Sequence, residues 1–574
     1  LGLTGSYSQM LLENTPFLRG LSAPFGLGYV PGQWMEGISV SKGVATVKNG
    51  YEAITGTINL DYEKPQKGDM FSLNLYENSD LKSEITAKFN HQFNEKLSTG
   101  LYIFGTINSH RTDHLGHDSF IDVPLQKQLN LVNRWTYEKP NGLCSQTLVN
   151  YTHEERLGGQ IDFEKTLRGN DSIYGFGGNT DRIHFFTKNG FALSKKSSFG
   201  SQITGTYFQQ DAFYGLTNYN AREADLYGNF LINCGVFGTD DVDYGISFRY
   251  SNSRESLRSI PYLGAAPQHP LLEIDEFVPG IFGQYTFRWG DAFTATGGLR
   301  YDYNTHFHEH IVTPRVHFRW KLGSKLILRG VAGAGARTTN IIAENIGLLA
   351  SSRDILLQEP LRMERARNIG INLTKTWTIW NDREMSFTLD YYRTDFTNQV
   401  VVDLDQDANK AVIYNLNGKS YSNVAQADFN INIFEGFDLS LAGKINDVMC
   451  TYNGQLLHKP YTSKYKGLIV MTYHTKYDKW RFDLTTQFNG PQRLPLNNGS
   501  LNGEAPAYIY MLGQVTRKFK RFEVYVGCEN ITNHTQDCPV IGADAPFTQA
   551  FDASVVYAPL MGRLFYGGLR FNIR

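Results

Sequence analysis

Six of the chain's seven tryptophans stand beside short polar turns, at the ends of stretches in which apolar and polar residues alternate. Trp135 precedes Glu138-Lys139-Pro140-Asn141-Gly142, Trp289 precedes Gly290-Asp291, and Trp320 precedes Lys321-Leu322-Gly323-Ser324-Lys325. Trp377 and Trp380 stand beside Asn381-Asp382-Arg383, and Trp480 follows Tyr477-Asp478-Lys479. An indole has an apolar body and one N–H donor, so the headgroup level of a bilayer selects it. Recurring next to turns, it marks one rim of a transmembrane β-barrel, whose period-two strands turn one face to lipid and the other to a wet lumen.

The alternation can be followed strand by strand. Met385, Phe387, Leu389 and Tyr391 share one face, while Ser386, Thr388, Asp390 and Tyr392 share the other. In 522–529 the even positions are apolar and the odd ones polar or small, and in 97–108 Leu97, Leu101, Ile103 and Ile107 fall on the lipid side. From about residue 68 roughly 22 such strands follow, a number that makes a wide barrel whose lumen must be filled. Connections alternate in length. Short ones include 94–96, 195–197, 290–291, 323–324, 381–382 and 519–520, and long ones cover about 110–125, 156–180, 252–272, 338–360, 398–417, 490–505 and 533–560. Short periplasmic turns and long extracellular loops are the expected asymmetry. The last residues, 564–574, read as a closing strand with alternating aromatics.

Composition agrees. Mean hydropathy is −0.35 with 41% hydrophobic residues, too polar for a helical membrane protein, and no run approaches the roughly 18 apolar residues of a spanning helix. A barrel needs only alternate residues to be apolar, and 13% aromatics supply two interfacial girdles. A net charge of −1 points to no nucleic-acid partner. Cys144, Cys234, Cys450, Cys528 and Cys538 are too scattered for a disulfide framework. Cys528 and Cys538 could pair in an oxidising compartment, although Cys528 falls on the lipid face.

Residues 1–65 differ, being rich in Gly and Pro, as in Pro16-Phe17-Leu18-Arg19-Gly20 and Tyr29-Val30-Pro31-Gly32. The predicted organisation is a small α/β domain over 1–65, seated in the lumen, and a barrel over 66–574. The chain opens at Leu1 with no signal peptide, so its export signal is expected upstream.

Ile38-Ser39-Val40-Ser41-Lys42-Gly43, followed by Asn49-Gly50-Tyr51-Glu52-Ala53-Ile54-Thr55-Gly56-Thr57-Ile58-Asn59-Leu60, resembles the plug signature of TonB-dependent outer-membrane receptors. Asn49-Gly50-Tyr51 stands where Tyr-Gly is usual, a variant that looks like receptors of the Bacteroidetes type. Arg362-Met363-Glu364-Arg365-Ala366-Arg367-Asn368-Ile369-Gly370 resembles a barrel segment of the family, Glu529-Asn530-Ile531-Thr532-Asn533 resembles its late box, and Gly562-Arg563 its terminal pair. The matches occur in the family's order along the chain. The resemblance implies a receptor without chemistry of its own that imports a scarce nutrient: a siderophore or other metal chelate, a metal ion or a cobalamin-like cofactor, with peptides or glycans behind. It implies the TonB complex of the inner membrane as partner, membrane lipid and lipopolysaccharide around the barrel, and a surface lipoprotein as a further candidate. A full plug of the family is about twice as long, and the TonB-binding segment precedes it, so part of the amino-terminal plug is expected to be missing. A passive or gated diffusion channel is the alternative, and an outer-membrane barrel enzyme stands behind it. The plug signature argues against the channel, and no supported acid–base or nucleophile constellation argues for the enzyme.

By the resemblance, ligand meets the plug apices, here Tyr7, Gln9, Phe17, Arg19, Phe25 and Leu27, together with Arg337 and Asn340, which stand where haem receptors carry Phe-Arg-Ala-Pro. The other reading of these residues is packing of the plug against the wall. Two loops hold histidines, His110, His114 and His117 in one and His306, His308 and His310 in the other; if extended, the second set projects to one side. Such imidazoles near carboxylates suit a transition metal, and the alternative is a solvated loop. No resident cofactor is required. Asp403, Asp405, Asp407 and Asn409 alternate as a structural calcium loop would, but lack its glycine and distal glutamate.

Overall fold

Strands of 8 to 20 residues, each hydrogen-bonded to the next in sequence, form the wall. In this computed structural model, which describes residues 2–114, 118–139, 142–258, 271–496 and 503–573, 22 antiparallel strands close into one barrel. Phe71–Asn78, the first, pairs with Leu564–Ile573, the last. A short strand, Gln455–His458, folds back on the end of Phe437–Tyr452 and adds a rim hairpin. Among the described residues no helix is long and apolar enough to cross a membrane.

The faces separate as the alternation requires. In Phe293–Asn304, Leu299 is 56% exposed and Tyr301 42%, while Arg300 and Asp302 between them are buried. Such a wall is inside out for water and correct for lipid. Aromatic pairs line the short-turn rim: Phe93 stacks on Trp135 with centroids 5.9 Å apart, Phe434 on Phe437 at 5.0 Å, Phe519 on Phe522 at 4.4 Å, and Trp320 meets Phe293 edge-on at 6.3 Å. Trp34, the seventh tryptophan, is fully buried beside Tyr62 and Tyr102.

Inside the barrel lies a four-stranded mixed sheet in the order Thr15–Pro16, Ser8–Leu12, Gly56–Tyr62, Met35–Lys42, with 8–12 parallel to 56–62. The helical part expected of this domain is present only as 3-10 turns, Gly5–Tyr7, Gly20–Tyr29, Gly32–Trp34 and Val47–Asn49. Gly20, Pro24, Gly26, Gly28, Pro31 and Gly32 explain this, because both residue types weaken an α-helix interior. The single α-helix among the described residues, Ile341–Glu344, lies in a long loop.

Wall side chains grip this inner domain through its main chain. Arg134 Nη1 donates to Tyr62 O at 3.1 Å and Glu63 O at 3.0 Å, Arg182 Nη2 to Phe17 O at 2.8 Å, and Arg315 Nη1 to Ala45 O at 3.1 Å and Thr46 O at 3.0 Å. Lys188 Nζ reaches Glu13 O at 2.7 Å and Asn130 Nδ2 reaches Tyr29 O at 2.9 Å. Buried cations survive here because each finds an acceptor that burial would otherwise leave unmet. Apolar contact adds to this where Leu12, Phe17, Trp34 and Tyr62 pack against Tyr102, Phe104, Val132 and Phe186 of the wall.

At the other rim the long loops interlock. Ile341, Ile342, Ala343 and Leu349 pack down on Leu21 of the inner domain, with Ile355, Val400 and Ile413 above. Asp354–Leu357, Val400–Asp403 and Lys410–Asn415 form a small sheet of their own. Phe120, Tyr174 and Phe551, from three different loops, share a buried cluster. Arg353 pairs with Asp552 at 2.5 Å, tying the loop after Arg337 to the loop before Leu564.

Candidate ligand vestibule

The sharpest electrostatic feature joins inner domain to wall. Gly20, at φ +58°, turns the chain so that Leu21 N donates to Glu223 Oε2 at 2.8 Å. A side chain at Gly20 would collide with the Glu223 carboxylate. Arg19, just before it, forks among three carboxylates: Glu52 at 2.8 Å, Glu276 at 2.9 Å and Asp225 at 3.1 Å. Arg249 of the wall closes the network at 2.5 Å from Glu52 and 3.4 Å from Asp225. Glu276 also accepts from Asn304 Nδ2 at 2.7 Å and Thr338 Oγ1 at 2.8 Å. Burial by itself would lower the Arg19 pKa, but Glu52, Asp225 and Glu276 outweigh it and push it up. Burial would likewise raise Glu52, and Arg19 and Arg249 instead draw it down to about 2. The cluster is a latch between inner domain and wall.

A second junction lies at the long-loop rim, where Glu364 opens its strand and Arg337 ends its own. Tyr7 OH donates to Glu364 Oε1 at 2.8 Å and accepts from Gln399 Nε2 at 2.7 Å. Its ring meets Phe396 edge-on at 5.0 Å and lies 5.1 Å from the Arg337 guanidinium. Arg337 pairs with Glu344, and with Glu364 at 3.4 Å. Burial, reinforced by Glu364, raises the Tyr7 pKa and keeps the phenol neutral.

The other apical residues read from the sequence spread over the inner domain. Phe17 is buried under Arg182, 4.7 Å from its ring, and against His184. Phe25 stacks on Tyr29 at 4.8 Å. Gln9 lines a small recess with Tyr51, Glu52 and Arg249. Asn340 precedes the loop helix, and its N–H donates to Glu344 Oε1 at 3.0 Å. Leu27 alone among them is a largely open side chain, 49% exposed.

The structure does not gather the histidines. His110 Nδ1 lies 3.4 Å from Asp80, and the His114 N–H donates to Asp122 at 2.7 Å; His117 lies outside the described residues. Residues 305–308 turn rather than extend, with His308 at φ +53°, so the common side expected for His306, His308 and His310 is lost. His310 reaches Tyr301 OH at 2.8 Å. Among the described residues no three His, Cys, Asp or Glu side chains form a group that could hold a metal ion. The aspartates of 403–407 are committed elsewhere: Asp403 accepts from Tyr414 OH at 2.7 Å, Asp405 pairs with Arg493 at 2.9 Å, and Asp407 with Lys410 at 2.9 Å. All five cysteines, Cys528 and Cys538 included, are free.

Residues 92–531 match the model of the TonB dependent receptor-like β-barrel family. The chain belongs to the TonB-dependent receptors. Members of this family are receptors and transporters rather than enzymes, they work with TonB, and their barrel sits in the outer membrane of Gram-negative cells. No curated protein sequence matches the chain. Among solved structures, a mutant of the ferric enterobactin receptor of Pseudomonas aeruginosa superimposes with a TM-score of 0.75 at 14% identity, covering 99% of this receptor and 91% of that chain. The copper transporter OprC gives 0.75 at 11% identity, covering 100% and 91%. The FrpB iron transporter of Neisseria meningitidis gives 0.70 at 12%, covering 99% and 92%. At such identities the likeness is one of fold.

Glu223, Asp225, Arg249 and Glu276 were not singled out from the sequence. Their only signal is charge at lumen-facing positions, which any wide barrel carries.

Proposed function

We propose that this receptor imports a scarce nutrient across the outer membrane, a siderophore or other metal chelate first, then a metal ion or a cobalamin-like cofactor. The observation that carries the reading is an inner domain that sits within the barrel yet is held by ion pairs and hydrogen bonds such as the Arg19 fork, which water can replace during displacement. Ligand enters at the long-loop rim, the loops over Leu21 part, and work delivered through the TonB complex shifts the inner domain. Tight capture of a dilute solute makes spontaneous release slow, which is why the step needs energy. The similar structures are of proteins named for ferric enterobactin, copper and iron, which supports placing metals and chelates first. The reading extends to a Bacteroidetes-type cell, with lipopolysaccharide around the barrel and a surface lipoprotein as accessory.

The test is uptake in a host lacking its own receptors for ferric siderophores, copper and cobalamin, supplied with this receptor in its outer membrane. Accumulation of one labelled solute that stops on adding a protonophore supports the reading. Accumulation indifferent to the protonophore makes the protein a passive channel and refutes it.

A further inference from the structure

A cavity of about 490 Å³ lies between the Gly2–Tyr7 segment, the strands Phe437–Tyr452 and Tyr465–His474, and the loops around 400 and 460. Three lysines line it: Lys444, Lys459 and Lys466. Lys444 and Lys466 are direct cross-strand partners. Both fall on the lumen face, since Asn446, Val448 and Cys450, in step with Lys444, are buried inward. Like charges placed opposite each other destabilise a sheet. Neither ammonium is paired with Asp or Glu among the described residues. Lys459 also has no carboxylate partner there, and its ammonium sits 5.6 Å from the Tyr7 ring centroid.

The carboxylates that share the cavity are engaged. Glu364 takes the Tyr7 hydroxyl and the Val400 N–H at 2.9 Å, and Glu344 takes Arg337 and the Asn340 N–H. Tyr461, Thr462 and Ser463 add hydroxyls to the lining. Asn446, 6% exposed, gives its Nδ2 to Ser463 O at 2.9 Å and keeps an Oδ1 with no partner. The wall thus offers three cations and an idle acceptor in a space of small-molecule size.

We propose that this cavity binds a compact polyanion as cargo, its carboxylate or phosphate oxygens bridging Lys444 and Lys466 and its far end reaching Lys459. The assignment rests on the import reading and names the charge of what is imported. A bound polyanion turns the repulsion between Lys444 and Lys466 into two charge-assisted hydrogen bonds. The idle Asn446 oxygen favours an anion that also carries a hydroxyl.

The experiment is calorimetric titration of the full chain in detergent with citrate, pyrophosphate and a neutral sugar. Citrate or pyrophosphate binds and the sugar does not; citrate alone assigns carboxylates, pyrophosphate alone assigns phosphates. Lys444→Gln, Lys459→Gln and Lys466→Gln each weaken binding by about tenfold or more, as the loss of a charged hydrogen bond requires, while Lys466→Arg stays close to the parent. Without ligand, Lys466→Gln is at least as heat-stable as the parent, because the like-charge pair is gone; this separates lost binding from lost folding. Absence of heat with both anions at low salt, or glutamine variants that bind like the parent, overturns the assignment. If uptake runs down with protonophore yet the lysine variants import normally, this site fails and the import reading stands. If the lysines bind the anion while uptake ignores the protonophore, the import reading fails instead.

Discussion

Replacing Arg19 by alanine removes the one cation that the inner domain contributes to its buried carboxylate network. Glu52 and Asp225 would then keep only Arg249, and Glu223 and Glu276 would lose their ion-pair partner. Taking one partner from a buried, hydrogen-bonded ion pair costs roughly 3–5 kcal/mol, mostly from the charge left behind. The Glu52 carboxyl gives an independent scale: its drop from 4.5 to about 2 is a net of about 3 kcal/mol in favour of the carboxylate, left after burial has opposed Arg19 and Arg249. The loss falls on the seating of the inner domain and leaves the barrel closed, so a single melting temperature would mix two events. Hydrogen exchange read by mass spectrometry resolves them. Peptides spanning 17–30 should exchange roughly 150- to 5,000-fold faster in Arg19→Ala, the factor those energies imply for an opening equilibrium. Wall peptides such as 293–304 should not change. Arg19→Lys should recover only part of the protection, because three donors on one nitrogen lack the reach of the planar five-donor guanidinium that spans these carboxylates. Exchange of 17–30 within about threefold of the parent would refute the latch, since such a change is below 1 kcal/mol.

The same network sets a pH window. Glu52 has a folded pKa below its ordinary value, so the stability it contributes is complete above about pH 4.5 and is lost as pH falls from there towards 2; chemically corrected exchange of 17–30 should rise over that interval, and Glu52→Gln should flatten the rise. Gly20→Ala places a β-carbon at φ +58° and against the Glu223 carboxylate, which should cost roughly 1–3 kcal/mol and loosen the same peptides, whereas alanine at Gly26, with open space around it, should cost only the backbone strain of its φ. The free cysteines predict five titratable thiols per chain in denaturant without reductant; two fewer would mean that Cys528 and Cys538 had joined.

The barrel was legible because its determinants are local. Period-two alternation and turn-side tryptophans are each visible within about ten residues, and a closed ring of strands linked one to the next adds no long-range surprise except the pairing of 71–78 with 564–573. The latch was illegible for the opposite reason. Arg19, Asp225, Arg249 and Glu276 come from an inner turn and three wall strands, and only closure and register bring them within 3.4 Å. Tyr7 and Phe17 were visible as residues of the small domain, but their commitment to Glu364 and Arg182 depends on how that domain is seated. The histidine set at 306–310 failed as an extended array because a turn with His308 in the left-handed region intervenes. The Lys444–Lys466 pairing could not be seen at all, since it needs the register of two strands separated by a hairpin.

The arginines of the wall bond to carbonyls of the inner domain, and a carbonyl is the same whatever side chain its residue bears. Substitutions at Phe17, Ala45, Thr46, Tyr62 or Glu63 leave those acceptors in place, whereas loss of Arg134 or Arg315 empties two such bonds at once and loss of Arg182 empties the one to Phe17. Where the contact is made through a carbonyl alone, mutational tolerance should therefore be lopsided, with the wall arginine less replaceable than the inner residue it holds; Arg19, Tyr7 and Phe17, which meet the wall through their side chains, fall outside that rule.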